Sequence, residues 1–474
     1  MIEIIFLIRY NSTMKIKKKI YFIGIEGGGT SALAQIYQKL GYEVLGSDNG
    51  DHFFGSVLAK AGIKVFPDFK AENLPNNIDF VVHSTAFKDD NPEMQEVKKR
   101  QGEFRRKRGW PGPKLKTLSY PEALANLFNE KFGIAVTGTH GKTSITAMAG
   151  ELLESAKLKP TALVGSEVIN WKCNTIIDDS KYFVLEADEY QNKLQHYSPK
   201  IVILNNIDFD HPDFFPTIKE YKQAFKNFVK KLDENAIVIA NFDDKQVREV
   251  VSGIKAKVIS FGKNNADFSV QLSDDNTKDF SKFYVFYKQE NLGEFKLKVL
   301  GEHNIMNSLS VIALGHALGI KTDIIKKSLE EFSGTKRRLE YKGKYKGAII
   351  YDDFAHHPTE VTASLKALRK RYPKNNIYCI FHPHSYTRTE ALLNDFAESL
   401  KLADKVIVLD IYGSARENKG NVHSKDLVKL LGDKGLYIPT IEKCVDYLKP
   451  ILKENDLAIT MGAGDVWRVG EELL

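Results

Sequence analysis

The sequence predicts an α/β fold of three domains, each built on a mostly parallel sheet, and three observations carry that reading. Short apolar runs ending in glycine-bearing or polar turns alternate with amphipathic helical stretches along most of the chain. Glycine-rich turns follow the apolar runs KKIYFIGI and FGIAV and lead into helical patterns. The chain has 474 residues, and at roughly 150 residues per domain that length accommodates three.

In chain order, KKIYFIGI, EVLGSD and FVVHSTA (80–86) read as strands, with SALAQIYQKLGY as the helix between the first two. Met14 is taken as the better start, since the first convincing strand begins just after it. The stretch 95–118, with its basic run KKRQGEFRRKRGWPGPKLKTL, is expected to be a solvated insertion loop, because charge runs usually face water. SYPEALANLF is a helix with Ser119 as N-cap and Pro121 in its first turn. FGIAVTGTHGKTSITAMAG then reads strand, loop, helix, and YFVLEADE, KIVILNNID and NAIVIANFDD supply further strands. The alternating stretch 266–300 predicts antiparallel hairpins at a sheet edge, and GEHNIMNSLSVIALGHALG returns to helix. After GTKRRLE, four strands (AIIYDDF, NIYCIFHPH, KVIVLDIYG and DLAITMGAG) define a last unit. The expected domains are therefore 14–117, 118–335 and 336–474.

Apolar residues make up 43% of the chain and charged residues 27%, the profile of a soluble globular protein. The net charge of +7, from 68 basic and 61 acidic residues, is small for this length. It suits anionic small molecules and makes no case for nucleic acid. No stretch approaches the ~20 apolar residues of a membrane span. Three cysteines (Cys173, Cys379 and Cys444), none in metal-binding spacing, argue against a disulfide framework and fit a cytoplasmic setting.

The strongest local signal is the run from Thr137 through Gly138, Thr139, His140, Gly141, Lys142 and Thr143 to Ser144, between an apolar strand and a helix. Glycines let backbone N–H groups close around phosphate oxygens, and the helix N-terminus adds partial positive charge. Lys142 supplies a full charge for the β/γ-phosphates of ATP, and Thr143 a hydroxyl for Mg²⁺. The spacing is shorter than GxxxxGK[ST], and a chance GxxGKT loop is the competing reading. Two acidic strand ends follow: Glu186 in LEADE, and DFDH with His211. Hard oxygen ligands suit Mg²⁺; in isolation both segments would be ordinary acidic loops.

His303, Asn304 and Asn307 open a helix, where amides offer donor and acceptor together, as the edge of adenine requires; alone they would be a helix cap. Arg337 and Arg338 suit planar contacts to phosphate, against a solvated hinge as the bland alternative. The segment Tyr351–Glu360, with His356 and His357, is rich in titratable groups, although no fixed His spacing supports a metal. In the first domain, GIEGGGTS carries Glu26 where a dinucleotide loop needs a middle glycine. A bulky acid there argues against a dehydrogenase.

These motifs, in this order, resemble the Mur ligases from about residue 18 to the end, missing only the N-terminal extension and the 95–118 insertion. The short TGTHGKTS form is shared with the folylpolyglutamate synthetases. The resemblance implies an ATP- and Mg²⁺-dependent amide-forming ligase that joins the carboxylate of UDP-N-acetylmuramate to L-alanine through an acyl phosphate. A Rossmann-like domain would hold the UDP-sugar, a P-loop-type central domain ATP, and a Rossmann-like C-terminal domain would close over both. Matched residue by residue, Glu186 and His211 fall on the family's metal-binding positions, with Thr143 completing the set. His303, Asn304 and Asn307 fall on the adenine motif, and Arg337 and Arg338 on its ATP clamp. Gly27, Gly29, Ser31 and Asp48 would face UDP.

Tyr351 and His356 lie in a segment resembling DDYxHHPTE, which lines the closed site. FHPHSYTRT resembles FQPHxYTRT, which makes Arg388 the candidate for the acceptor carboxylate, with His384 nearby. His211 and His384 are the candidate bases. Two departures stand out: Ser385 where some alanine-adding members carry Arg, and His382 in place of the family's usual Gln. Phe225, beside Lys226, stands where several other members carry a carbamylated lysine, an absence that fits the alanine-adding branch. EADEY and DDFAHHPTE lean toward the tripeptide-adding branch, whereas SYTRT, DIYGSAREN and IDFDHPDFF lean toward the alanine-adding one. A catalytically silent ATP-binding homologue is the alternative of another class, against which Lys142, Thr143, Glu186 and His211 speak.

Overall fold

The computed structural model describes residues 18–49, 54–87, 90–108, 115–273, 280–413 and 420–474. It is α/β with three mostly parallel sheets. Compactness separates two units, Met1–Ala123 and Leu124–Leu474, the division falling within the helix Tyr120–Phe128. The second and third sheets share the latter unit. We propose that the step between central and C-terminal domains lies at 335/336, where one sheet gives way to the next.

The first unit is a five-stranded parallel sheet in the order Lys64–Phe66, Glu43–Ser47, Lys19–Ile23, Phe80–His83, Lys116–Ser119. Tyr21, Phe22 and Ile23 are fully buried, as a sheet covered on both faces requires. The expected loop over 95–118 is corrected: Pro92–Arg108 is a helix and Lys116–Ser119 a strand. The Asn91 carboxamide caps the helix by accepting from the N–H groups of Glu93 and Met94. Met94 and Val97 are buried beneath it, and Arg100 pairs with Glu96 one turn away. The heavy charge masked a narrow apolar stripe. Trp110, the N-terminal extension and most of DIYGSARENKG lie outside the described residues.

The second unit begins with a ten-stranded sheet whose order places Phe132–Thr137 between Ile201–Leu204 and Tyr182–Glu186, all parallel. Three loops therefore emerge side by side at the carboxyl ends of neighbouring strands: the glycine loop, the segment after Glu186, and Asn205–His211. The expected hairpins at 266–300 form an antiparallel edge of Phe268–Leu272, Ser281–Tyr287 and Glu290–Leu297. The helix Lys142–Ser155 is anchored through Ile145, Met148, Ala149, Leu152 and Leu153, all fully buried. A Cβ on Gly150 of this helix would stand 2.6 Å from the Trp171 ring, which would have to move.

The six-stranded third sheet runs Glu340–Tyr345, Ala348–Asp353, Asp456–Met461, Asn376–Phe381, Lys405–Val408, Gly435–Tyr437, with only the first pair antiparallel. The four expected strands are its interior. The two edge strands are too short or too polar to register as apolar runs. The carboxyl ends of the central three bring Asp353–His357, Gly462 and His382–His384 together.

Candidate active site

The glycine loop turns at Gly138 (φ 130°) and Gly141 (φ 82°), both in the positive-φ region that a side chain resists. Space forbids one as well: a Cβ on Gly141 would lie 2.6 Å from the Asn307 amide oxygen. The Lys142 ammonium folds back onto the loop, donating to the carbonyls of Gly138 (2.5 Å) and Thr139 (3.0 Å) and to Glu189 (3.0 Å). Burial alone would lower its pKa, but Glu189, Asp188 and Glu186 hold it above the ordinary lysine value. Thr143 donates to Glu186 at 2.8 Å, and Arg338 from the third sheet's leading turn reaches the Thr143 hydroxyl at 3.1 Å.

Glu189, with no exposed surface, is the hub beneath the loop. Its carboxylate accepts from Lys142 and Tyr221 (2.8 Å) and lies 3.6 Å from His211 Nε2. Ligand atoms of Asp188, Glu189 and His211 all fall within 4.8 Å of one another, a spacing that suits a cation. Two oxygen-bearing clusters thus flank Lys142: Thr143 with Glu186, and Asp188 with Glu189 and His211. Phe225 is buried and packs edge-on against Tyr221 at 5.3 Å, so it serves the core.

The third sheet supplies the opposite wall. Arg388 donates through Nε (2.9 Å) and Nη2 (2.8 Å) to one oxygen of Asp210, and its Nη1 lies 3.2 Å from His384 Nδ1. Burial and the nearby His356 and Arg388 push His384 down to about 3, so its imidazole is neutral at physiological pH. His140 sits between Asp208 (3.1 Å) and Glu360 (3.1 Å). Burial would lower its pKa, yet the two carboxylates raise it from 6.5 to about 9. A group raised on folding contributes stability that is complete below its unfolded pKa and lost as pH rises through the folded one. Thermal midpoints should therefore fall between about pH 6.5 and 9, less so in His140→Asn. An NMR titration placing His140 at 6.5 would overturn this account.

Between these walls lies a cavity of about 450 Å³. His140, Gly141 and Arg338 line one part of it, and His303, Asn304, Asn307, Asn241 and Asp244 another. The amides form a chain, Asn205 to Asn307 to Asn304 to the Leu300 carbonyl. Among the described residues, Asn205 Oδ1 and Arg338 Nε are buried there without a protein partner. Orphaned polar atoms on residues lining a cavity are what a polar ligand satisfies.

Comparison with known proteins agrees with this geometry. Residues 19–131 match the description "Mur ligase family, catalytic domain", 136–315 "Mur ligase middle domain", and 337–464 "Mur ligase, glutamate ligase domain". The UDP-N-acetylmuramate–L-alanine ligase of Acetivibrio thermocellus is 39% identical, covering 96% of both chains. The chain belongs to the Mur ligase family. The enzyme of the same description from Caldanaerobacter subterraneus subsp. tengcongensis is 38% identical over 96% of this chain and 97% of its own. Among solved structures, the UDP-N-acetylmuramate–alanine ligase of Thermotoga maritima superposes with TM-score 0.80 at 26% identity over 96% of this chain and 98% of that one. A murein peptide ligase from Psychrobacter arcticus (TM-score 0.71, 23% identity, 96% and 98% coverage) shares the fold.

The Mur ligase motifs named from the sequence gather unevenly. Gly138, Thr139, His140, Gly141, Lys142, Thr143, Ser144, Glu186, His303, Asn304, Asn307 and Arg338 converge around the glycine loop and cavity. His211 groups with Asp188 and Glu189, and Thr143 with Glu186, so the expected metal trio is divided between two clusters. Arg337 is buried against Asp352 (3.2 Å) and the Gly462 carbonyl (2.6 Å), holding the turn that presents Arg338. Tyr351 meets the Tyr372 hydroxyl at 3.0 Å and lines a different cavity, with Leu339 and Tyr341. His356 is pinned by the Phe354 carbonyl at 2.9 Å.

In the first unit, Asp48 accepts from the Glu26 (2.8 Å) and Asn49 (2.9 Å) N–H groups, closing the loop that Gly27 leads into the helix. The Ser31 hydroxyl is buried and donates to the Gly28 carbonyl. A Cβ on Gly29 would stand 2.3 Å from the Tyr120 hydroxyl, so a side chain there would displace that tyrosine. Glu189, Asp208, Asp210 and Glu360 were not singled out from the sequence. The signal available was their position at strand and helix ends beside residues that were.

Proposed function

We propose that this chain ligates L-alanine to UDP-N-acetylmuramate at the expense of ATP, giving UDP-N-acetylmuramoyl-L-alanine, ADP and phosphate. The observation that carries this reading is the cluster of Lys142, Thr143 and Glu186 on the glycine loop's sheet, with Arg338 reaching the Thr143 hydroxyl from the last sheet and Arg388 held on Asp210 beside His384. The whole-length likeness to alanine-adding ligases supports it. The sugar's lactyl carboxylate attacks the γ-phosphorus of ATP, and ADP leaves. The alanine amine then attacks the acyl carbon, the C–O bond to phosphate breaks, and the amine loses a proton.

Lys142 balances charge that develops on the transferred phosphoryl. His303, Asn304 and Asn307 hold the base of ATP, and Arg338 its phosphates. The backbone around Gly27 and Gly29, with Asp48, binds the UDP portion. Thr143 and Glu186 are oxygen donors suited to Mg²⁺, and Asp188, Glu189 and His211 to a second ion; such ions would neutralise phosphate charge. His211 and His384 are the candidate bases for the amine's proton, and burial with His356 and Arg388 alongside makes protonating His384 costly. Arg388 has one guanidinium edge on Asp210 and its Nη1 edge toward His384, the edge proposed for the acceptor carboxylate. No helix among the described residues is long and apolar enough to cross a membrane, in keeping with a cytoplasmic enzyme of precursor synthesis.

Purified protein with ATP, Mg²⁺ and UDP-N-acetylmuramate should release phosphate with L-alanine and form a product of the alanyl mass. Release only with the cell-wall tripeptide would transfer the chain to the recycling branch. Nucleotide binding without release under any acceptor would favour a silent homologue.

A further inference from the structure

Besides the clusters flanking Lys142, one group of side chains has the make-up of a transition-metal site. His140 Nε2, a carboxylate oxygen of Asp208 and a ring nitrogen of His357 all lie within 4.8 Å of one another. His140 Nε2 is 3.1 Å from Asp208 Oδ2, and His357 Nδ1 is 3.7 Å from the same oxygen. Donors about 2.0–2.2 Å from a tetrahedral zinc ion stand roughly 3.3–3.6 Å apart, so the observed separations need only small adjustments.

The outer hydrogen bonds are also those of a metal site. His140 Nδ1 lies 3.1 Å from Glu360 Oε1, so a metal that displaces the Nε2 proton leaves an Nδ1–H donating to this carboxylate. This is the carboxylate–histidine pairing that orients metal-bound imidazoles. His357 Nε2 lies 3.2 Å from the Phe209 carbonyl, which can only accept, so that nitrogen carries the proton; Nδ1 accepts the Thr359 N–H at 3.3 Å as the cap of the following helix, a bond that a metal would replace. The Thr359 hydroxyl steadies Asp208 at 2.6 Å. Two imidazoles and one carboxylate are softer than the all-oxygen surroundings magnesium prefers. His140, Asp208 and Thr359 line the nucleotide cavity, which leaves a fourth position open to water or a phosphate oxygen.

We propose that His140, Asp208 and His357 form a binding site for a divalent transition metal of the zinc type, distinct from the magnesium positions beside Lys142. Bound there, the ion ties the glycine loop to the turn of the third sheet that carries His357 and narrows the nucleotide cavity.

The test is a titration of the chelator-stripped, full-length protein with Co²⁺ in excess Mg²⁺, following visible absorption. One equivalent should give the intense band of a four-coordinate ion, displaceable by Zn²⁺. The band should persist in His211→Ala and fall at least tenfold in both His357→Ala and Asp208→Asn, each checked for native circular dichroism. Two variants on different loops guard against loss by misfolding. A band that survives both, or that only His211→Ala removes, would place the ion elsewhere and overturn the proposal, as would the absence of any band.

Discussion

Lys142→Ala is expected to lower phosphate release by about 10²-fold or more, the loss that follows removal of a donor aimed at developing negative charge. The side chain has a second task that could mimic this result. It is a counter-ion of Glu189, which is wholly buried and otherwise held by Tyr221 and His211. Removing one partner of a buried pair costs about 3–5 kcal/mol, because the remaining charge is left in a poor solvent. A large drop in thermal midpoint should therefore accompany the loss of turnover. The double variant Lys142→Ala, Glu189→Gln, read against Glu189→Gln alone, separates the two effects. A neutral amide retains the Tyr221 contact without an orphaned charge, so the midpoint should recover while turnover stays low. Recovery of turnover as well would make Lys142 a structural counter-ion and remove it from phosphate chemistry.

The contrast between Lys142 and Glu189 shows what was legible in the sequence. The phosphate loop could be read because its chemistry is local: glycines, a lysine and a hydroxyl within one turn, between strand and helix. The three sheets could be read because buried parallel strands are short apolar runs. Glu189, Asp208 and Asp210 owe their roles to partners far along the chain, brought close by strand order. Nothing near Asp210 announces Arg388, 178 residues later. Arg337 and Arg338 form the opposite case: adjacent and chemically alike, they diverge because Arg337 adopts φ 60° and turns its guanidinium onto Asp352, leaving Arg338 to the cavity. The helix over 92–108 was hidden by composition, since Met94 and Val97 are the apolar residues of its described side chains that mark its inner face.

Asp210→Asn is expected to destabilise the protein by about 3–5 kcal/mol, the cost of leaving one member of a buried pair alone. Asp210 comes from the sheet of the glycine loop and Arg388 from the last sheet, and both side chains are over nine-tenths buried. Burial opposes ionisation of Asp210, but Arg388, helped by His211, His356 and His357, outweighs it and holds the carboxyl far below its usual range. The sign of the pH dependence follows. A carboxyl depressed on folding contributes stability that is present above its unfolded pKa, about 3.9, and is lost as pH falls below that value. The wild-type midpoint should drop steeply in acid, and Asp210→Asn should start lower at neutral pH and lose less. Acceptor kinetics then distinguish tether from binding group. With Asp210→Asn the guanidinium is still present, so KM for L-alanine should change only a few-fold at temperatures where the variant is folded. Arg388→Met should raise that KM by an order of magnitude or more, since an ionic hydrogen bond to a carboxylate is worth about 1.5–3 kcal/mol. Equal KM in Arg388→Met and wild type, with both variants equally destabilised, would reduce Arg388 to a clasp between the two sheets and move recognition of the acceptor to other residues.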